Sequence, residues 1–217
     1  MKQIKYSYCV DEEDNLVHIQ SITPETRHKC KLLCLQCGRE MVANLGTKKT
    51  WYFSHKAETA CDGESYLHKL AKRRILEKFD STDNFPITFV RDVPCNRYKT
   101  CLFFHDSECQ VKGKRIPFDL REWYDTCKEE EKEGEFRPDL LLTCSKKPNR
   151  DPIFIEVYKT HRSENAKVES EYKIIETTQL KSEDDVEDII KRGFVEGENC
   201  QIFNFKPQLP DVRKNDV

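Results

Sequence analysis

The chain has 217 residues, of which 35% are charged and 37% hydrophobic, and its formal net charge is -2. This length suits one medium domain, or a small module joined to a catalytic domain. The near-neutral charge excludes a uniformly basic coat, so contact with nucleic acid has to rest on local patches. No run is long and apolar enough to span a bilayer, and the first residues show no signal-peptide core. We therefore expect a cytoplasmic protein that makes no membrane contact.

Eleven cysteines are present, an odd number that is high for this length. Such a count is typical of secreted scaffolds held by disulfides. A Cys-x-x-Cys spacing and the missing signal peptide favour instead a reducing compartment in which some thiols bind metal.

The N-terminal region carries a candidate zinc site of three cysteines and one histidine. Cys34 and Cys37 are two residues apart and precede Gly38, which permits the tight turn of a zinc knuckle. An aromatic strand then leads to His55, and Cys61 follows. Four such ligands close a tetrahedral site with no open position, so we expect a structural zinc ion.

Two further features belong to this region. Residues 5–20 alternate in polarity around an acidic turn, which predicts a β-hairpin. His28 and Cys30 are rival metal ligands, but Cys30 lies too close to Cys34 to fit the knuckle equally well.

Residues 64–79 predict a helix that Asp62 caps. Apolar residues recur along it at helical spacing and define an inward stripe: Leu67, Ala71, Ile75 and Phe79. Glu64 and His68 fall on the same stripe. They are candidate site residues or, alternatively, a capping glutamate and a hydrogen-bonded core histidine.

Three basic residues of this helix form a candidate phosphate-facing patch or a solvated face: Lys69, Lys72 and Arg73. Lys72 lies nearest the apolar stripe. Strands are predicted within residues 86–104, and the acidic run over 128–133 is typical of a solvated surface. The residues Cys95, Cys101, His105 and Cys109 have a spacing that matches no common zinc pattern, so buried free thiols are the alternative to a second zinc.

Two short apolar runs, 140–142 and 153–155, predict neighbouring buried strands, and each carries one carboxylate. Asp139 precedes the first run and Glu156 ends the second. Burying an ionised carboxylate alone is costly, so each needs a cation or several donors. Ion pairs at a turn or sheet edge would satisfy them, and so would a shared divalent metal.

The rest of the chain predicts a strand over 172–178, a helix that starts at Ser182 and stops at Gly193, and a last strand over 201–206. This order of elements indicates an α/β sandwich.

Five motifs together resemble the competence-protein CoiA-like family: CxxCG, YFSHK, ES..H...K, RPDLLL and PIFIEV..TH. The resemblance implies a zinc-finger-like module over residues 1–62 and a PD-(D/E)xK domain over 63–207, followed by a polar tail over 208–217. The implied fold is a restriction-endonuclease-like mixed sheet flanked by helices.

The resemblance also implies a DNA endonuclease that uses Mg²⁺ or Mn²⁺. Asp139 and Glu156 would hold the metal, Glu64 and His68 would assist from the helix, and the zinc module would be free to recruit a protein partner. In the PD-(D/E)xK motif a lysine stands two residues after the second acid, which is Glu156 here. This chain has Tyr158 at that position, and Lys159 is one residue later.

A β-bulge that swings Lys159 inward is one way to supply the missing ammonium group, and Lys167 from the following helix is another. If neither lysine reaches the site, the domain is a decayed nuclease fold that binds nucleic acid or protein without cutting.

Overall fold

The structure is a computed structural model that describes residues 6–47, 50–58, 60–95, 100, 102, 110–158, 167 and 169–205, apart from the side chain of Glu64. These residues form a mixed α/β protein with three sheets and two α-helices. Within the part described, neither helix combines the length and apolar character needed to cross a bilayer.

The N-terminal region is a five-stranded antiparallel sheet in the order β2-β1-β3-β4-β5. Its strands are β1 (Tyr8–Val10), β2 (Leu16–His18), β3 (Leu32–Leu33), β4 (Glu40–Asn44) and β5 (Tyr52–His55). The predicted hairpin is confirmed, because β1 and β2 pair and Asp11 accepts hydrogen bonds from the backbone N–H groups of Glu13 and Asn15 in the turn.

Helix α1 (Gly63–Ser81) follows and confirms the predicted helix. The Asp62 carboxylate accepts a 3.1 Å bond from the Ser65 N–H, as expected of an N-cap. Ala71, Ile75 and Phe79 are fully buried, so the predicted stripe faces the core.

A long hairpin forms a second sheet beside the helix. Its strands are β6 (Pro86–Pro94) and β7 (Gln110–Asp119), with β12 (Phe194–Val195) parallel to β6 on the other side. This three-stranded sheet is separate from the predicted central one. The ten residues of β7 were not predicted, because most of their side chains are exposed and give no alternating apolar pattern.

The central sheet is mixed and runs in the order β13-β11-β10-β9-β8. Its strands are β8 (Thr126–Glu129), β9 (Leu140–Thr143), β10 (Ile153–Glu156), β11 (Lys173–Thr177) and β13 (Cys200–Phe203). The first three form an antiparallel meander, β11 is parallel to β10, and β13 is antiparallel to β11. The two apolar runs are therefore neighbouring strands, as predicted.

The two faces of β10 pack against different clusters. Ile153 and Ile155 join the main hydrophobic core, which also contains the buried face of α1 and residues of the N-terminal sheet. Phe154 packs on the opposite face with Leu141 and Ile174. Since alternate strand residues share a face, Glu156 belongs to the face of Phe154.

Helix α2 (Glu183–Arg192) starts at Ser182 and ends at Gly193, as predicted. Its first turns bind the N-terminal sheet: the Glu183 carboxylate accepts the Ser7 N–H at 2.9 Å, and Glu187 accepts the Tyr8 hydroxyl at 2.8 Å. Arg74 of α1 also pairs with Glu187, and its guanidinium lies over the Tyr8 ring of β1, 5.4 Å from the centroid. The N-terminal sheet thus docks on both helices.

Gly193→Ala is expected to lower the free energy of unfolding by about 3 kcal/mol. Gly193 has a φ of 76° and a ψ of -164°, and a Cβ would lie 2.1 Å from the Pro86 carbonyl oxygen. Gly197→Ala is the control, because its φ is similarly positive but no atom lies within 4 Å of the added carbon. Urea denaturation of both variants would contradict this explanation if their losses were equal.

Candidate functional site

Three thiols and one imidazole converge at the base of the N-terminal sheet. Cys34 follows β3, Cys37 follows it in a turn in which Gly38 has a φ of 66°, and His55 ends β5. Cys61 lies just before α1. The four ligand atoms all lie within 4.8 Å of one another.

The spacing of these atoms suits zinc. Cys34 Sγ and Cys61 Sγ are 3.7 Å apart, and Cys37 Sγ is 3.2 Å from His55 Nε2. Ligands about 2.3 Å from a tetrahedral zinc ion lie about 3.8 Å from each other. Three thiolates this close would repel strongly without a cation. The donor set therefore fits a structural zinc ion, with Cys34, Cys37, His55 and Cys61 as its four ligands.

The rival ligands His28 and Cys30 do not join this cluster. His28 and Cys30 are exposed, and the turn that carries them lies outside the group. Cys95 is half-buried, whereas Cys101, His105 and Cys109 lie outside the described residues, so the second zinc stays a prediction.

Asp139 and Glu156 come together where β9 begins and β10 ends. The last pair in their antiparallel ladder is Leu140 with Ile155, so the next opposed positions are Asp139 and Glu156. Both side chains are largely buried. Two carboxylates therefore share one end of the sheet.

Asp139 is held by donors from two directions. His68 Nε2 of α1 lies 3.1 Å from Asp139 Oδ2, and the Val157 N–H donates to the same oxygen at 2.9 Å. Burial acts to raise the pKa of Asp139, but the hydrogen bond and charge of His68 together with the Val157 N–H outweigh it and lower that pKa. The helix thus brings His68 to Asp139, as the stripe predicts.

Glu156 has a different environment. Lys167 Nζ donates to Glu156 Oε1 at 2.7 Å, and both side chains are mostly shielded from solvent. Burial raises the pKa of Glu156 to about 7; Lys167 opposes the shift, whereas the charges of Asp139 and Glu176 add to it. Burial and the neighbouring carboxylates thus outweigh Lys167, so a further cation beside Glu156 would favour its ionised form.

The predicted basic patch differs from the structure. Lys72 is only 3% exposed and pairs with Glu129 at 2.9 Å and Glu130 at 2.6 Å, with Asp139 at 3.9 Å. Its ammonium group is directed toward these carboxylates and is shielded from solvent, so it is not placed to contact a phosphate at the surface. The acidic run is in turn partly a strand that supplies these partners.

The other predicted basic residues lie on the surface side of α1. Lys69 is exposed and donates to the Gln36 carbonyl at 3.3 Å. Arg73 pairs with Asp14 of the N-terminal hairpin. Only Lys69 of the three has the exposure expected of a phosphate contact.

Of the predicted positions Glu64, Tyr158 and Lys159, only Tyr158 is described in full. The side chain of Glu64 and all of Lys159 lie outside the described part of the chain. Tyr158 is half-buried, and its backbone N–H donates to Thr177 Oγ1 at 2.9 Å.

Glu176 is a buried carboxylate that the sequence analysis missed. It pairs directly with Glu156 in the parallel ladder of β10 and β11 and is 3% exposed. The signal that revealed Glu156, an acid within an apolar run, is also present in the Lys173–Thr177 segment.

Residues 18–64 match the family described as Competence protein CoiA, N-terminal domain. This match confirms the CoiA-like resemblance for the region that contains the four zinc ligands. It ends at the start of α1 and does not extend to the strands with Asp139 and Glu156. No curated protein and no solved structure matches the chain.

Purified protein is expected to contain one zinc ion per chain. The Cys34→Ser variant is expected to lose this ion. Its N-terminal sheet should then unfold, because small zinc modules draw their folding energy from the metal. Cys30→Ser is the control, since that exposed thiol lies outside the cluster. Metal analysis and circular dichroism provide the measurements. Full zinc retention by Cys34→Ser would contradict the assignment of Cys34 as a zinc ligand.

Glu156→Gln should change how stability depends on pH in metal-free buffer. The folded-state pKa of about 7 lies above the ordinary 4.5, so the folded protein binds more protons between these values. The stabilisation is complete below about pH 4.5 and is lost as pH rises through about 7. The stability of Glu156→Gln relative to wild type should therefore increase by about 2 kcal/mol from pH 5 to pH 8.

Urea unfolding at both pH values measures this difference. Glu135→Gln, at an exposed position, is the matched removal of one carboxylate. If Glu156→Gln and wild type keep a constant difference across this range, the environment assigned to Glu156 is wrong.

Proposed function

We propose that the protein is a divalent-metal-dependent nuclease that hydrolyses phosphodiester bonds in DNA. The observation that carries the proposal is a set of four side chains from separate segments, in which His68 contacts Asp139 and Lys167 contacts Glu156 across one end of the sheet. Helix α1, the meander β8-β9-β10 and the parallel strand β11 form the frame around them.

Asp139 and Glu156 would hold Mg²⁺ or Mn²⁺, since these hard cations prefer carboxylate oxygens. Such an ion supplies an activated water and stabilises negative charge on the phosphate. The raised pKa of Glu156, to which the Asp139 charge contributes, supports this role because a cation would relieve that repulsion. His68 holds the Asp139 carboxylate in place from α1.

Lys167 is the best candidate for the ammonium group that the motif places after the acid. Its Nζ reaches Glu156 from the segment between β10 and β11, although Tyr158 occupies the usual position in the sequence. From there the ammonium group can orient a water molecule and balance charge that develops on the phosphate. Lys159 is the alternative source of this ammonium group that the sequence predicts.

DNA as the substrate is supported by the match of residues 18–64 to the N-terminal domain of the competence protein CoiA. We infer a competence-related role in DNA uptake, recombination or defence. The zinc cluster takes a structural role and leaves its module free to contact a protein partner.

A second function, nucleic-acid or protein binding without cleavage, is favoured by one observation. Tyr158 stands where the motif requires a lysine, and a phenol with an ordinary pKa near 10 is a poor substitute for an ammonium group. The nuclease requires that Lys167 replace the missing lysine of the motif. Binding without cleavage makes no such demand.

Asp139→Ala and Glu156→Ala are expected to reduce Mn²⁺-dependent DNA cleavage to background, because neither the water nor the leaving oxygen is stabilised without metal. Lys167→Ala should reduce the rate about 100-fold, the usual cost of losing one charge-stabilising donor. Gel assays with single- and double-stranded DNA measure these rates. Lys173→Ala is the control, since that lysine pairs with Asp151 at the opposite end of β11.

The same assay on Lys159→Ala tests the alternative lysine. A loss confined to Lys159→Ala would transfer the role from Lys167 to Lys159. Wild-type protein that binds neither Mg²⁺ nor Mn²⁺ and leaves DNA and RNA intact would refute the nuclease, and binding without cleavage would then be favoured.

A further inference from the structure

Tyr6 lies against the zinc cluster although it precedes the first ligand by 28 residues of sequence. Its backbone pairs with Phe53 of β5 through hydrogen bonds of 3.0 and 2.7 Å. Its ring meets the His55 ring edge-on at 5.6 Å and the Tyr66 ring at 4.5 Å. Backbone and ring contacts therefore fix the direction of the phenol.

The Tyr6 hydroxyl is buried, and within the described part of the chain it has no hydrogen-bond partner. A buried hydroxyl without a partner is costly, so such a group calls for an explanation. Burial raises the pKa of Tyr6, and the thiols of the cluster add to the rise, Cys61 foremost, followed by Cys34 and Cys37.

The state of Cys61 explains this arrangement. A neutral thiol is a weak acceptor, whereas metal binding removes the thiol proton and leaves a thiolate that accepts strongly. Tyr8, two residues along the same segment, has a different arrangement because its hydroxyl already donates to Glu187.

We propose that Tyr6 is a positioning residue of the metal site, whose hydroxyl donates a hydrogen bond to Cys61 Sγ when Cys61 is bound to zinc as a thiolate. The proposal rests on the structural zinc ion proposed for the cluster. The bond spreads charge away from the sulfur, strengthens retention of the metal and shields Cys61 from thiol-reactive reagents. Groups that orient metal ligands in this way typically contribute about 10- to 100-fold in metal affinity.

Tyr6→Phe tests this role in the full chain loaded with zinc, because it removes the hydroxyl and keeps the ring. Competition with a chromophoric chelator should show zinc affinity weaker by about 10-fold or more. In the cobalt-substituted protein, the sulfur-to-cobalt charge-transfer band should shift, since one thiolate has lost its donor. Tyr8→Phe is the matched control and should leave both readouts unchanged.

Each alternative result has a distinct meaning. Unchanged affinity and an unchanged cobalt spectrum in Tyr6→Phe overturn the role of Tyr6 while leaving the zinc site intact. Equal losses in Tyr6→Phe and Tyr8→Phe also overturn it, because they indicate a general effect on packing. Wild-type protein that binds neither zinc nor cobalt overturns the metal site itself.

Discussion

Two carboxylates at the end of the sheet where β9 begins and β10 ends determine much of the arrangement around the central sheet. Burial disfavours the charge on both, so neighbouring segments supply donors: His68 and the Val157 N–H for Asp139, and Lys167 for Glu156. Without these donors the end of the sheet would have to open to water. The need to satisfy two acids thus draws together α1, the end of β10 and the segment before β11.

Helix α1 connects this acidic end of the sheet to the zinc cluster. It begins two residues after Cys61, and its second turn carries His68 toward Asp139. Tyr66, on the first turn, contacts Tyr6 beside the cluster and donates to Glu183 of α2. Helix α1 therefore begins beside the proposed zinc site and places His68 at the proposed catalytic site.

The elements that the sequence predicts well are those with strong local signals. Asp62 and Ser182 mark helix starts, Gly193 marks a stop, and the two apolar runs identify β9 and β10. Side-chain partners over long distances were harder to predict. The spacing of α1 alone cannot show that Lys72 meets Glu129 and Glu130, because that depends on how α1 crosses β8.

In the candidate site, too, local signals predict some positions, whereas long-range contacts determine others. The position of Asp139 opposite Glu156 follows from neighbouring strands, and His68 follows from its place on the apolar stripe. Choosing Lys167 requires the path of the chain between β10 and β11, which no local pattern specifies. Glu176 was within reach of the sequence, since a carboxylate in an apolar run has to be satisfied wherever it occurs.

The bond from the Ser7 N–H to Glu183 joins positions 176 residues apart in the sequence. On a ribosome, the first strand therefore emerges long before the helix on which it docks. Until then, the backbone N–H group of Ser7 has to be hydrated, because Glu183 is its hydrogen-bond acceptor. Contacts of such high sequence separation slow folding, because a long loop must close before they form. Docking of the N-terminal sheet on α2 is thus tied to synthesis of the chain through Glu183 and Glu187.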